Sequence, residues 1–109
     1  MDREKKLIAA LRECESAAMT CATQCLREEE VSMLADCIRT DLSCADFCNF
    51  TARLLLREEP RAVDLVKICM EVCRECAEEC EKHEHDHCKK CAGACREGEK
   101  HCREYLGNL

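Results

Sequence analysis

Fourteen of the 109 residues are cysteine, and their spacing is where this sequence can do chemistry. Cys14, Cys21 and Cys25 form one run; Cys37, Cys44 and Cys48 a second. Cys69, Cys73, Cys76 and Cys80 form a third, and Cys88, Cys91, Cys95 and Cys102 a fourth. Within each run the steps are 3, 4 or 7 residues. Those are the steps that keep side chains on one face of an α-helix. Thiols therefore stand where a helix bundle would hold leucine. Sulfur gathered in one interior is a ligand set for soft metal ions.

Several uses of these thiols can be weighed. Helical neighbours four apart have Cβ atoms about 5–6 Å apart, against about 3.8 Å in a disulfide. A bridge within one helix would strain it. A structural zinc site needs four ligands, usually in pairs presented from turns. The CxxC pairs Cys73–Cys76 and Cys88–Cys91 instead lie inside longer helical ladders. An iron–sulfur cage draws its cysteines from a loop, and the run from Cys88 to Cys95 lacks the proline that closes such a motif. Copper(I) fits better, being soft and content with low coordination numbers, two thiolates per ion sufficing. Pairs such as Cys21–Cys25, Cys44–Cys48, Cys69–Cys73, Cys76–Cys80 and Cys91–Cys95 could each grip an ion. With sulfurs shared between ions, capacity approaches about one copper per cysteine, on the order of a dozen. A store needs such numbers; a catalytic site does not. Two alternatives stay open: a zinc or cadmium buffer, and a thiol redox module using Cys73/Cys76 or Cys88/Cys91, for which an exposed, low-pKa cysteine is required.

The elements that position the thiols follow from the punctuation. The expected fold is all-α: one domain over 1–109, an antiparallel up-down-up-down four-helix bundle with helices at about 2–27, 32–57, 60–82 and 86–106. Ser32 is a candidate N-cap, Pro60 suits a first helical turn, and Asp86 is a candidate N-cap after the loop His83-Glu84-His85-Asp86-His87. Alanine, leucine, glutamate, lysine and arginine favour helix throughout. Short links make consecutive helices antiparallel. Reading the seams in alternating directions then collects Leu7, Leu11, Leu55, Ala62, Val66, Tyr105 and Leu109 at one end. Cys25, Cys37, Cys80, Cys88 and the histidine loop meet at the other. The expected interior is a thiol-lined tube with an apolar plug and a histidine-bearing mouth, where ions enter past His83, His85 and His87. His83 continues the seam of its helix and is the favoured histidine ligand, with His87 second; Asp41, Thr51 and Gly98 are seam positions without sulfur. Phe47, Phe50 and Leu54 form a second stripe, for flank packing or an oligomer interface.

Composition narrows the partners. Net charge is −6, with both signs interspersed as on solvated helix faces. Nothing resembles the basic stripe of a nucleic-acid binder, and one Tyr, two Phe and no Trp offer few rings for bases. No stretch approaches a membrane span of about 18 apolar residues. The charged N-terminus carries no secretion signal pattern. The expectation is a cytoplasmic protein with reduced thiols and no enzymatic activity.

The CxxxC pairs spread over all four helices, with histidines near one end, resemble the cytosolic bacterial copper storage proteins, a cysteine-rich four-helix family often mislabelled ferredoxin-like. The resemblance spans essentially the whole chain. It implies a four-helix bundle, Cu(I) bound by core thiolates, entry at the histidine end, and a homo-tetramer; a copper donor or acceptor is a further expected partner. Carried over residue by residue, the ligands are the fourteen seam cysteines.

Overall fold

The computed structural model describes residues 2–107; Leu109, expected in the apolar plug, lies outside them. Four helices follow one another: α1 (Asp2–Cys25), α2 (Ala35–Leu56), α3 (Ala62–Cys80) and α4 (Asp86–Leu106). Among the described residues there is no strand. Each helix packs against two neighbours, α1 on α2 and α4, α3 on α2 and α4. The result is an antiparallel four-helix bundle measuring 44 × 19 × 17 Å. No helix of the described residues is long and apolar enough to cross a membrane.

Each helix buries the face its 3-4 spacing selects. On α1 this is Leu7, Leu11, Cys14, Ala18, Cys21, Ala22 and Cys25; on α3 it is Ala62, Val66, Cys69, Cys73, Cys76, Ala77 and Cys80. A neutral cysteine packs as a small hydrophobe, so a core dominated by sulfur still excludes water. Of the second apolar stripe on α2, Leu54 is buried, Phe47 is partly buried against the core and Phe50 is half exposed.

The helix ends depart from their expected signals. Val31–Leu34 form a 3-10 turn, α2 starts at Ala35, and no side chain caps it. Ser32 is inside that turn and does not serve as an N-cap. At α4 the N-cap is His85, with extended backbone (φ −64°, ψ 141°), and Asp86 is already helical. The His85 carbonyl accepts from the amides of Cys88 and Lys89. α2 ends in a Schellman motif: Glu59 N donates to the Leu54 carbonyl and Glu58 N to that of Leu55. Glu58 takes the left-handed position of that motif at φ 56°, a place glycine usually fills.

Candidate metal centre

All fourteen cysteines are 0% exposed and none forms a disulfide. They stack along the bundle axis in layers, each assembled from several helices. The layer nearest the α1–α2 and α3–α4 links holds Cys21, Cys25, Cys37 and Cys88. Cys21 and Cys25 lie 3.9 Å apart, and Cys88 is 3.9 and 4.0 Å from them. Cys37 touches Cys80 at 3.7 Å and Cys88 at 4.0 Å. Next come Cys76, Cys80 and Cys91 around Asp41. Deeper, Cys14 meets Cys44 and Cys95 at 3.4 Å each and Cys73 at 3.9 Å. Cys48 lies 3.7 Å from Cys73 and 3.8 Å from Cys69, and Cys102 with Cys69 ends the sulfur. Below stand the buried plug residues Leu7, Leu11, Leu55 and Val66.

These separations suit a soft ion. With a metal–thiolate bond of about 2.3 Å, three sulfurs around one ion stand about 4.0 Å apart. The apo contacts of 3.4–4.0 Å need only a few tenths of an ångström of expansion. Several groups converge within 4.8 Å: Cys14, Cys44, Cys48 and Cys73; Cys44, Cys76 and Cys95; Cys21, Asp41, Cys80 and Cys91; and Cys21, Cys25, Cys88 and His87. Gly98 explains one gap in the sulfur ladder. A Cβ there would lie 3.2 Å from Cys73 Sγ and 3.7 Å from Cys14 Sγ, so the missing side chain is the room the deep layer occupies.

Asp41 is wholly buried. Its Oδ1 accepts from the thiols of Cys76 (3.3 Å), Cys80 (3.4 Å) and Cys91 (3.3 Å). The carboxyl hydrogen-bonds across the core to α3 and α4. Burial, then the neighbouring sulfur of Cys21, pushes its pKa up to about 9. At neutral pH it carries its proton. Burial likewise pushes the Cys25 thiol up to about 11 and raises Cys88. Isolated buried charge is costly, and on that ground the empty interior is a stack of S–H groups around one protonated carboxyl.

The three loop histidines separate. His87, 14% exposed, lies over the outer layer. Its Nδ1 is 3.6 Å from Cys21 Sγ, 3.8 Å from Cys25 and 3.5 Å from Cys88. The mouth is therefore not bare thiol; the imidazole covers it. Burial opposes charge on this ring, but Cys21 and Glu28 favour it, and its pKa is raised. His83 contacts Glu79 instead, Nε2 to Oε2 at 3.0 Å. The favoured position of His83 assumed that α3 continues past Cys80. The helix stops there, so the seam register no longer applies three residues on. His101 lies on the flank between Glu97 and Glu104.

Two buried or bridging residues carry more than their sequence positions suggested. Glu28 reaches the mouth, with Oε2 2.9 Å from His87 Nε2. It stands in the acidic stretch Glu28-Glu29-Glu30, three residues past the end of α1, where charge alone suggests solvent and the helical register no longer applies. Thr51 is fully buried beside the deepest sulfurs with its hydroxyl unpartnered.

Comparison with known proteins agrees with this architecture. The family model described as "Copper storage protein" matches residues 1–107. An uncharacterized cysteine-rich protein of Bacillus subtilis, YhjQ, is 38% identical over 96 residues, which is 88% of this chain and 89% of that protein. A cytosolic copper storage protein from Streptomyces lividans, solved with five coppers, superposes with a TM-score of 0.96 at 38% identity, covering 99% of this chain and 95% of that one. The same protein has been solved loaded with 10 copper equivalents. The Cu(I)-bound copper storage protein BsCsp3 gives a TM-score of 0.90 at 35% identity, over 94% of this chain and 96% of the other. With its seams, its buried thiol stack and these likenesses, the chain belongs to the copper storage protein family.

Proposed function

We propose that this protein holds a reserve of copper(I) as a multinuclear thiolate array inside its bundle, with ions entering at the histidine end. The observation that carries the reading is the continuous stack of fully buried, unbridged thiols, 3.4–4.0 Å apart within layers and 3.7–3.9 Å from layer to layer. Each Cu⁺ replaces about one proton, so the loaded interior stays near neutral and the fold is formed before loading. The proposed ligands are the fourteen cysteines with His87 at the mouth; His83, held by Glu79, stays on the rim. Neutral buried thiols persist in a reducing compartment, which supports a cytosolic location, and the relatives described as cytosolic support it too. Storage, rather than catalysis, is the role assigned. A homo-tetramer is the proposed assembly, with exposed Leu42, Phe50 and Ile68 offering apolar surface for self-association, and a copper donor or acceptor is the expected exchange partner.

A redox role is disfavoured by the same geometry. A reactive cysteine must be accessible and readily ionised; Cys88, the best placed by sequence, is 0% exposed with its thiol held protonated by burial. Anaerobic titration of the reduced protein tests the reading. Thiolate-to-copper absorption should grow until about a dozen ions are bound, with helical far-UV circular dichroism before the first addition. Saturation after one or two ions, or a coil that orders only with metal, would overturn it.

A further inference from the structure

His87 has two ring nitrogens, and only one can face the sulfur. Nδ1 sits 3.5–3.8 Å from Cys88, Cys21 and Cys25. To bind a metal there it must present a lone pair, which requires the proton on Nε2. Nε2 points at Glu28, 2.9 Å from Oε2. A carboxylate only accepts hydrogen bonds, so this contact keeps the proton on Nε2. The same oxygen lies 3.4 Å from His85 Nδ1, and the two imidazoles stack with centroids 5.2 Å apart and planes 5° from parallel. One face of His87 is thereby covered and its edge is tied down. Glu28 belongs to the α1–α2 link and His87 to the first turn of α4, so the contact also joins two segments that no backbone bond connects.

We propose that Glu28 is a positioning residue for the mouth: it fixes the Nε2–H tautomer and the ring orientation of His87, so that Nδ1 is aimed at copper arriving among Cys21, Cys25 and Cys88. This rests on the storage reading and adds a residue to it. Partners behind a metal-bound histidine commonly contribute 10–100-fold to affinity or activity. The capacity of the sulfur stack is independent of it.

The test uses the full reduced chain and Cu(I) alone, added anaerobically. In the apo-protein, at a pH high enough that the His87 ring is neutral, its ¹⁵N chemical shifts should report Nε2–H; in Glu28→Ala they should move toward a tautomer mixture. At a few equivalents of copper, X-ray absorption should show a nitrogen neighbour in the wild type that Glu28→Ala loses. Stopped-flow loading should slow about tenfold while final capacity and helical content stay the same. Glu28→Gln, whose amide oxygen still accepts from Nε2–H, should restore both signals although the charge is gone. Unchanged tautomer, nitrogen signal and rate in Glu28→Ala would overturn the inference. So would failure of Glu28→Gln to rescue, which would make charge rather than positioning the cause. If His87→Ala itself loads like the wild type, with the same nitrogen signal, the mouth reading falls and this inference with it.

Discussion

Each end of the bundle gathers four helix ends joined by short links, two links at the histidine end and one at the other, yet the two ends are chemical opposites. At one end Leu7, Leu11, Leu55 and Val66 fill the axis, all at most 2% exposed, and the α2–α3 link closes on backbone hydrogen bonds. At the other, the axis is filled by thiols and closed by side-chain contacts among Glu28, His85 and His87. Leucine packing is strong and indifferent to metal. An imidazole anchored through one carboxylate gives way more readily than packed leucine, and in the proposed function it serves as a ligand. The difference teaches that stability and access have been assigned to separate ends, so each can be perturbed without the other.

The sharpest way to break the comparison is to hollow out the plug. Leu11→Ala should destabilise the apo-protein by about 2–5 kcal/mol, measured by urea unfolding under reducing conditions. Its copper capacity should be unchanged; a loss of capacity would show that the plug shapes the sulfur stack and does more than seal it.

Asp41→Asn probes the middle, where the two ends meet. The native carboxyl has its pKa raised from 3.8 to about 9. Between those values the folded chain holds a proton that the unfolded chain has released. The stabilising contribution is therefore complete below about pH 4 and is lost as pH rises through about 9. Across that window apo stability should fall by up to about 1.4 kcal/mol per pH unit, and Asp41→Asn should flatten the slope. Urea midpoints across pH read both curves; parallel slopes would mean that Asp41 is ionised in the fold.

A smaller change sharpens the picture of the deep layer. Gly98→Ala adds helix propensity of about 1 kcal/mol but places a methyl 3.2 Å from Cys73 Sγ. Apo thiols can shift; thiols pinned by metal cannot. Apo stability should change by less than about 1 kcal/mol while copper capacity falls, a split visible by pairing denaturation with titration. The least effect is expected at the plug-end link, where Glu58→Gly relieves a left-handed residue (φ 56°) and should stabilise by about 1 kcal/mol without altering copper binding.

The seams were legible because helical periodicity and burial are nearly one fact here: all fourteen cysteines and the sulfur-free positions Asp41, Thr51 and Gly98 are buried, while His83 and Tyr105, at seam ends, are only partly so. The closed end was legible for the same reason. The histidine end was not, because periodicity carries information only while the helix lasts. α3 stops at Cys80, which removed His83 from the register; α4 begins one residue after His85, which set His87 against Cys21, Cys25 and Cys88. Glu28 likewise lies three residues beyond the end of α1, in a link where charge alone suggested solvent. Asp41 was placed on the seam, but its retained proton depends on thiols contributed by α3 and α4, which no local pattern encodes.

The plug has one more consequence, for order in time. A bore sealed by leucine at one end and, as proposed, entered from the other is a stack, not a corridor. Whatever is deposited deepest is retrieved last, and the ion beside His87 is the first to go. Release from a nearly empty protein and from a full one should then differ in rate, so that how much is on hand sets how readily it is given up.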